Sequence, residues 1–278
     1  MTFSIVARSA DGESWGVAVA SKFLAVGSAV PAAVAGVGAV ATQAYANVAY
    51  KGLALAHLDE GATASVAVQR LIEEDDGRDQ RQVGIVDVDG GAATYTGQAC
   101  LDWAGGLTGD GYTVQGNILV GPEVVDAMCA AFEESDPDLP LSRRLLAALQ
   151  AGDAVGGDKR GRQSAALLVV EEGAGYGGFD DVAVDLRVDD HADPCAELER
   201  LLGLHEELNP DVPEDERVQD TPELFEELDG RARSLGLDDF VAWMGDRNLE
   251  GYGGPDWTAQ EAIDRIRDET PDWDGPAA

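Results

Sequence analysis

The chain opens on an apolar run broken by a polar turn. Thr2-Phe3-Ser4-Ile5-Val6-Ala7-Arg8 is rich in β-branched and aromatic residues, Ala10-Asp11-Gly12-Glu13 carries the turn signal, and Trp15-Gly16-Val17-Ala18-Val19-Ala20 resumes the run. That pattern predicts a β-hairpin at the start of the chain. No charged side chain occurs between Lys22 and Lys51. Length alone would allow a membrane span there, but Pro31, Gly27, Gly36, Gly38 and Thr42-Gln43 interrupt it, and alanines outnumber large aliphatics. The stretch is read as two strands buried on both faces, about Ala25 to Val34 and Gly36 to Gln43.

Helical spacing takes over after Gln43. Two short helices are predicted from about Val48 to Glu60 and from Thr63 to Glu74, split by Gly61, with Val66, Leu71 and Ile72 on the inner side of the second. A second hairpin follows, Gln82 to Val88 and Ala92 to Gly97 around Asp89-Gly90, then a strand at Tyr112 to Leu119. Gly121-Pro122 opens a helix facing inward with Val124, Val125, Met128 and Phe132, and a further helix runs from Leu141 to Ala151. The glycine-rich loop Gly156 to Ser164 leads into a strand at Ala165 to Val170, and loops at strand mouths often face ligands. A strand at Val182 to Val188 precedes a helix capped by Asp193 and begun by Pro194, with Leu198, Leu201, Leu202, His205 and Leu208 on one face. Strands and helices in this order predict two packed sheets with helices outside rather than βαβ units. No GxGxxG or GxxxxGK[ST] phosphate loop occurs.

An acidic, proline-bearing linker spans 209–220, so the expected domains are 1–208 and 221–278. The second reads as a small helical unit with Phe240, Trp243 and Trp257 as core. From Gly203 on, 22 acids face 6 bases over 76 residues, while the preceding 202 residues carry 31 acids and 13 bases. The tail is therefore the more charge-dense part, a solvated accessory or a contact surface.

Composition narrows the setting. The chain has 278 residues, 45% of them apolar, enough for one large core or two domains. Its formal net charge is -34, its pI near 4.1, and only three of its 19 basic residues are lysines. Acidic, lysine-poor surfaces suit a salt-filled cytosol, so a cytoplasmic protein of a halophile is expected. With no basic stripe to displace counterions, nucleic acid is excluded as a partner. The absence of a secretory signal fits the same compartment, since Arg8 and Asp11 interrupt any apolar h-region. Cys100, Cys129 and Cys195 are far apart and lack CxxC spacing, as reduced thiols would be. His57, His191 and His205 are too scattered for a zinc site, and neither metal nor cofactor is expected.

The candidate chemistry sits at Thr2. Methionine aminopeptidase removes Met1 ahead of a small residue, which would leave a hydroxyl and a free α-amine on one threonine at a strand end. That amine titrates at roughly 7.7 to 8.0, close enough to working pH to take the hydroxyl proton. An N-terminal threonine thus carries nucleophile and base together, and a strand held in a sheet keeps it in place.

Five blocks carry a family resemblance: Thr2 to Arg8, Gly16 to Phe23, Gly36 to Gln43, Val114-Gln115-Gly116-Asn117-Ile118-Leu119 and Gly161-Arg162-Gln163-Ser164-Ala165-Ala166. In this order they resemble the domain-of-unknown-function 1028 family, from Thr2 to about His205. The resemblance implies an α+β fold, an αββα four-layer sandwich of two packed antiparallel sheets like that of N-terminal-nucleophile (Ntn) hydrolases, and amide-bond hydrolysis by Thr2. Phe240 to Glu250 resembles a peptidoglycan-binding-like domain often fused to that family. Where proteasome-type Ntn hydrolases end the second strand in an Ala-Asp-Ser-Arg-like run, this chain has Ala20-Ser21-Lys22.

The expected activity is that of an amidohydrolase acting on a small amide or ureide. Lys22 is the candidate to lower the nucleophile's pKa, and Asn117, following Gly116 in an apolar strand, is the candidate oxyanion donor. Gln43, Arg162 and Gln163 are candidate substrate contacts, with the planar fork of Arg162 suited to a carboxylate. Expected partners are a small-molecule substrate and further copies of the chain in a homo-oligomer, without a membrane. The rival expectation is a non-catalytic binding or assembly protein on the same scaffold, with an acidic interaction tail; a third is a metal-dependent hydrolase built on the acidic cluster near Asp189, Asp190 and His191.

Overall fold

The computed structural model describes residues 2–275. The chain forms two compact units, divided between Arg200 and Leu201.

The first unit is α+β with two antiparallel sheets. Strands β1 (Thr2–Arg8), β2 (Ser14–Ser21), β7 (Gly105–Gly109), β8 (Tyr112–Asn117), β9 (Ser164–Glu171) and β10 (Val182–Val188) form a six-stranded sheet in the order β10-β9-β2-β1-β8-β7. A four-stranded sheet of β3 (Pro31–Val34), β4 (Gly38–Ala44), β5 (Arg81–Asp87) and β6 (Ala92–Thr96) runs in chain order. The terminal hairpin pairs Phe3 with Ala20 through Arg8 with Trp15, as the sequence predicts.

Side-chain alternation along these strands sorts the layers. Val6, Val17 and Val19 of the six-stranded sheet meet Ala39, Ala41 and Val86 of the four-stranded one, a dry inter-sheet core. The other face of the six-stranded sheet lies against α5 (Leu141–Ala154), which packs with α4 (Glu123–Glu134). A side chain at Gly16 would come 2.7 Å from Leu145 Cδ1 and 2.7 Å from the carbonyl oxygen of Leu168, so glycine lets α5 settle on β2. On the far side, α2 (Ala49–Asp59) and α3 (Ala64–Glu73) cover the four-stranded sheet, with Tyr50, Ala54, Leu58, Leu71, Val83 and Ile85 in one cluster. Both helices match their predicted spans. The inner face of α3 differs: Leu71 is buried, but Ala64, Ala67 and Val68 fill the positions expected of Val66 and Ile72, and Val66 is exposed.

Two local expectations are corrected. The strand expected from Ala25 begins only at Pro31, because Val26–Ala29 is one helical turn, α1. Its N–H at Val26 donates to Ser164 Oγ (3.1 Å) and Ala25 N–H to the Asp189 carbonyl (2.9 Å), long-range anchors that local pattern cannot carry. Strand β7, Gly-Gly-Leu-Thr-Gly, lacks β-branched alternation and was not expected; register with β8 creates it.

The second unit takes in the end of α6 (Pro194–Leu208), β11 (Arg217–Gln219), α7 (Pro222–Ser234), α8 (Phe240–Asp246), β12 (Trp257–Ala259) and α9 (Gln260–Glu269). Its start at Leu201 precedes the expected boundary at 208, since the Leu208 carbonyl packs on Gly251 and the Glu207 carbonyl accepts from the Tyr252 hydroxyl (2.9 Å). Within the stretch expected as linker, Val212 is buried in the unit's core and β11 pairs with β12. Phe240 and Trp243 are buried at that core, with Trp257 against it.

Candidate active site

One end of the inter-sheet space is polar. Thr2, Ser4 and Val6 share the face of β1 that looks toward the four-stranded sheet, so moving from Val6 to Thr2 passes from dry core to hydroxyls. Thr2 pairs with Asn117 on one side, and its Oγ1 lies 3.1 Å from Ser21 Oγ on the other. Ser21 in turn pairs with Ser164. Asn117, Thr2, Ser21 and Ser164 therefore form a row across four adjacent strands, all of them buried.

Facing this row, the four-stranded sheet presents Gln43 and Gln82, paired across β4 and β5. Gln43 Nε2 donates to Gln82 Oε1 (2.8 Å) and lies within reach of the carbonyls of Thr2 (3.3 Å) and Gln115 (3.2 Å). Its Oε1 accepts from Ser4 Oγ (2.7 Å), and Ser4 Oγ accepts from Gln115 Nε2 (2.7 Å). Gln82 Nε2 donates to the Gly116 carbonyl (2.7 Å) and Thr96 Oγ1 (2.9 Å), while Gln82 Oε1 accepts from Asn117 Nδ2 (2.8 Å). A buried amide left unpaired is costly, and here every one of these amides is tied to its neighbours. Gly84 makes room for this: a Cβ there would sit 2.1 Å from Gln115 Oε1.

A cavity of about 330 Å³ opens at the same end, lined by Ala44, Tyr45, Gln80, Ala99, Cys100, Leu101, Asn117 and Ile118. Two of its walls are backbone in the left-handed region, Ala44 at φ 66° and Ile118 at φ 52°. For a β-branched residue such as Ile118 this conformation is strained, and strain of this kind gathers at functional sites. It persists because the Ile118 N–H donates to the Leu101 carbonyl (2.9 Å) and the Tyr45 N–H to the Gln80 carbonyl (3.1 Å). Burial pushes the Cys100 thiol above its ordinary pKa, and its Sγ lies 3.3 Å from the Arg81 carbonyl.

Of the residues singled out in the sequence, Thr2, Gln43 and Asn117 come together. Gln43 stands as a brace between the sheets, its amide occupied by protein groups. Lys22 is exposed just past Ser21, its Nζ donating to the Arg162 carbonyl (3.0 Å) and its N–H to buried Asp158 Oδ2 (2.7 Å). The Arg162 guanidinium pairs with Asp153 (2.8 Å), and Gln163 Nε2 donates to Asp190 (3.1 Å). Met1, whose removal the mechanism needs, lies outside the described residues. Sequence reading passed over Ser21, Gln82 and Gln115, although polar residues two apart at the ends of apolar strands, Thr2 with Ser4 and Gln115 with Asn117, were a signal of a shared polar face.

A family of unknown function (DUF1028) matches residues 2–198, so the second unit lies outside the match. No curated protein matches the chain. A solved structure, protein SPO2555 from Silicibacter pomeroyi, described as DUF1028, is 34% identical over 74% of this chain and 89% of its own, with a TM-score of 0.67. Anbu (ancestral beta-subunit) from Yersinia bercovieri is 12% identical over 73% of this chain and 93% of its own, with a TM-score of 0.34.

Proposed function

The chain belongs to the family of unknown function DUF1028, and from that premise and the polar end of its two sheets we propose that it is an N-terminal-nucleophile amidohydrolase acting through Thr2. The layering of helices, six-stranded sheet, four-stranded sheet and helices is then read as the Ntn sandwich. The observation that carries the proposal is the placement of the Thr2 hydroxyl, 3.1 Å from Ser21 Oγ on one side and in register with cavity-lining Asn117 on the other.

With Met1 removed, the Thr2 α-amine takes the proton from Oγ1 as Oγ1 attacks the amide carbonyl carbon. The proton then passes to the leaving nitrogen, the C–N bond breaks, and water releases the acyl group from Thr2. Asn117 is the donor proposed for the oxyanion. Gln82 Oε1 holds one Nδ2 hydrogen and so fixes the amide plane, leaving the second hydrogen to donate. Removing a preorganised donor of this kind costs on the order of 3 kcal/mol of barrier.

The test starts from the intact mass of the purified protein and a hit from a library of small amides and ureides. Met1 is expected to be absent, and Thr2→Ala to lower kcat/KM by roughly a thousandfold or more while the fold is retained. Met1 retained in an active preparation, or a Thr2→Ala variant as fast as the parent, would overturn Thr2 as the nucleophile, and Met1 retained with no turnover of any library member would leave the same scaffold as a binding protein.

A further inference from the structure

The cavity that reaches Asn117, the strand partner of Thr2, stands out for what its walls lack. Its eight lining residues include no Asp, Glu, Lys or Arg, in a chain where 26% of residues are charged. Of the charged residues next to the lining in sequence, Arg81 is paired with Asp75 (2.9 Å) and donates to the Tyr45 carbonyl, while Asp79 and Asp102 are exposed to solvent. An ion entering such a pocket would lose hydration without gaining a counter-charge from the lining itself. The field of a chain with net charge -34 works against an anion in addition.

What the walls do offer is uncharged chemistry. Ala44, Ala99, Leu101 and Ile118 supply apolar surface, Tyr45 an exposed ring, and Gln80 and Asn117 amides that can donate to or accept from a neutral partner. Strained backbone at Ala44 and Ile118 marks the same walls as built rather than incidental.

We propose that this cavity selects an uncharged ligand, a neutral carboxamide or ureide carrying an apolar group that lies against Tyr45, Leu101 and Ile118. The proposal rests on the reading of Thr2 as nucleophile for its link to turnover, but the selectivity itself does not need turnover. A substrate with a free carboxylate or ammonium next to the scissile amide is excluded by the same walls.

Benzamide, benzoate and benzamidine share one shape and differ in charge, being neutral, anionic and cationic at pH 8. The readout is the rate of Cys100 alkylation by iodoacetamide, followed by peptide mass spectrometry on the full chain. Cys129 and Cys195 are buried, which leaves Cys100 as the reporter on the cavity wall. Benzamide is expected to protect Cys100 at concentrations at least tenfold below either charged analogue. Gln80→Glu, a change at an exposed side chain that adds a carboxylate to the wall, is expected to shift the preference toward benzamidine. Equal or better protection by benzoate or benzamidine on the parent protein, or no protection by benzamide up to its solubility limit, would overturn the proposal. Thr2→Ala is to be run in parallel. Neutral selectivity retained in a protein whose amide turnover does not depend on Thr2 would remove the nucleophile and leave the selectivity standing.

Discussion

Gln82 shows how much rests on single amides. It is fully buried, joins both sheets, and fixes Asn117 through its Oε1 while its Nε2 serves the Gly116 carbonyl and Thr96. Gln82→Leu would keep most of the volume and leave the Asn117 and Gln43 donors short of an acceptor. Each buried polar group left unsatisfied costs about 1–3 kcal/mol, so chemical denaturation should show a loss of about 2–4 kcal/mol. A loss under about 0.5 kcal/mol would mean that water replaces the side chain at no cost and that the network does not hold Asn117. Of the candidate residues, Thr2 was legible in the sequence from its position and type, and Asn117 from a polar residue in an apolar strand. Gln43 was legible only as polar. That it spans to Gln82 and Ser4, 39 residues away in each direction, depends on sheet packing that one strand's pattern does not encode.

Among elements, Asp75 ties the helical layer to the four-stranded sheet. Just beyond α3, it accepts from the Tyr50 hydroxyl of α2 (3.0 Å), from Asn47 Nδ2 (3.1 Å) and from Arg81 Nε at the start of β5 (2.9 Å). The Arg81 guanidinium, with these further donors, holds its carboxyl well below the ordinary carboxylate range, and burial next to Asp75 raises the Tyr50 hydroxyl. A carboxylate with its folded-state pKa lowered contributes stability that is in place above its ordinary value of 3.8 and is lost as pH falls below it. Asp75→Asn should therefore cost about 2–3 kcal/mol at pH 7, where the partly buried Arg81 loses its counter-charge. It should cost progressively less as the pH is lowered under 4, a convergence that thermal melts across pH 2–7 would show. Parallel melts with a constant offset would rule this brace out. The elements themselves were readable where a periodic face was long, as in α4, whose inward residues Val124, Val125, Met128 and Phe132 are all buried. They were misread where a distant partner decided the backbone. Val26–Ala29 coils because Ser164 and Asp189 hold it, and β7 pairs because β8 offers an edge that a glycine-rich segment can approach.

For the whole molecule, charge is the dominant quantity. A net charge of -34 on 278 residues repels itself, and the repulsion reaches about 10 Å at 0.1 M salt but only about 3 Å at 1 M. Raising potassium chloride from 0.1 to 3 M should raise the Tm, most steeply below about 1 M where screening changes fastest. A Tm independent of salt over that range would show that the carboxylates are already neutralised by local pairing. No helix among the described residues is long and apolar enough to cross a membrane, and the uncharged stretch between Lys22 and Lys51 instead supplies α1, β3 and β4.

The sequence by itself determined the composition-level properties, the terminal hairpin, the long amphipathic helices and the family blocks, because each depends on residue type and on spacing within a few turns or one strand. Only the tertiary structure decided that Thr2, Ser21, Asn117, Gln43 and Gln82 share one polar end, that a cavity free of charged side chains lies beside it, and that Arg162 and Gln163 are bound to Asp153 and Asp190. The first two facts depend on strand register and on how two sheets face each other, which bring together residues up to 115 positions apart; the last depends on where the loop before Ser164–Glu171 lands.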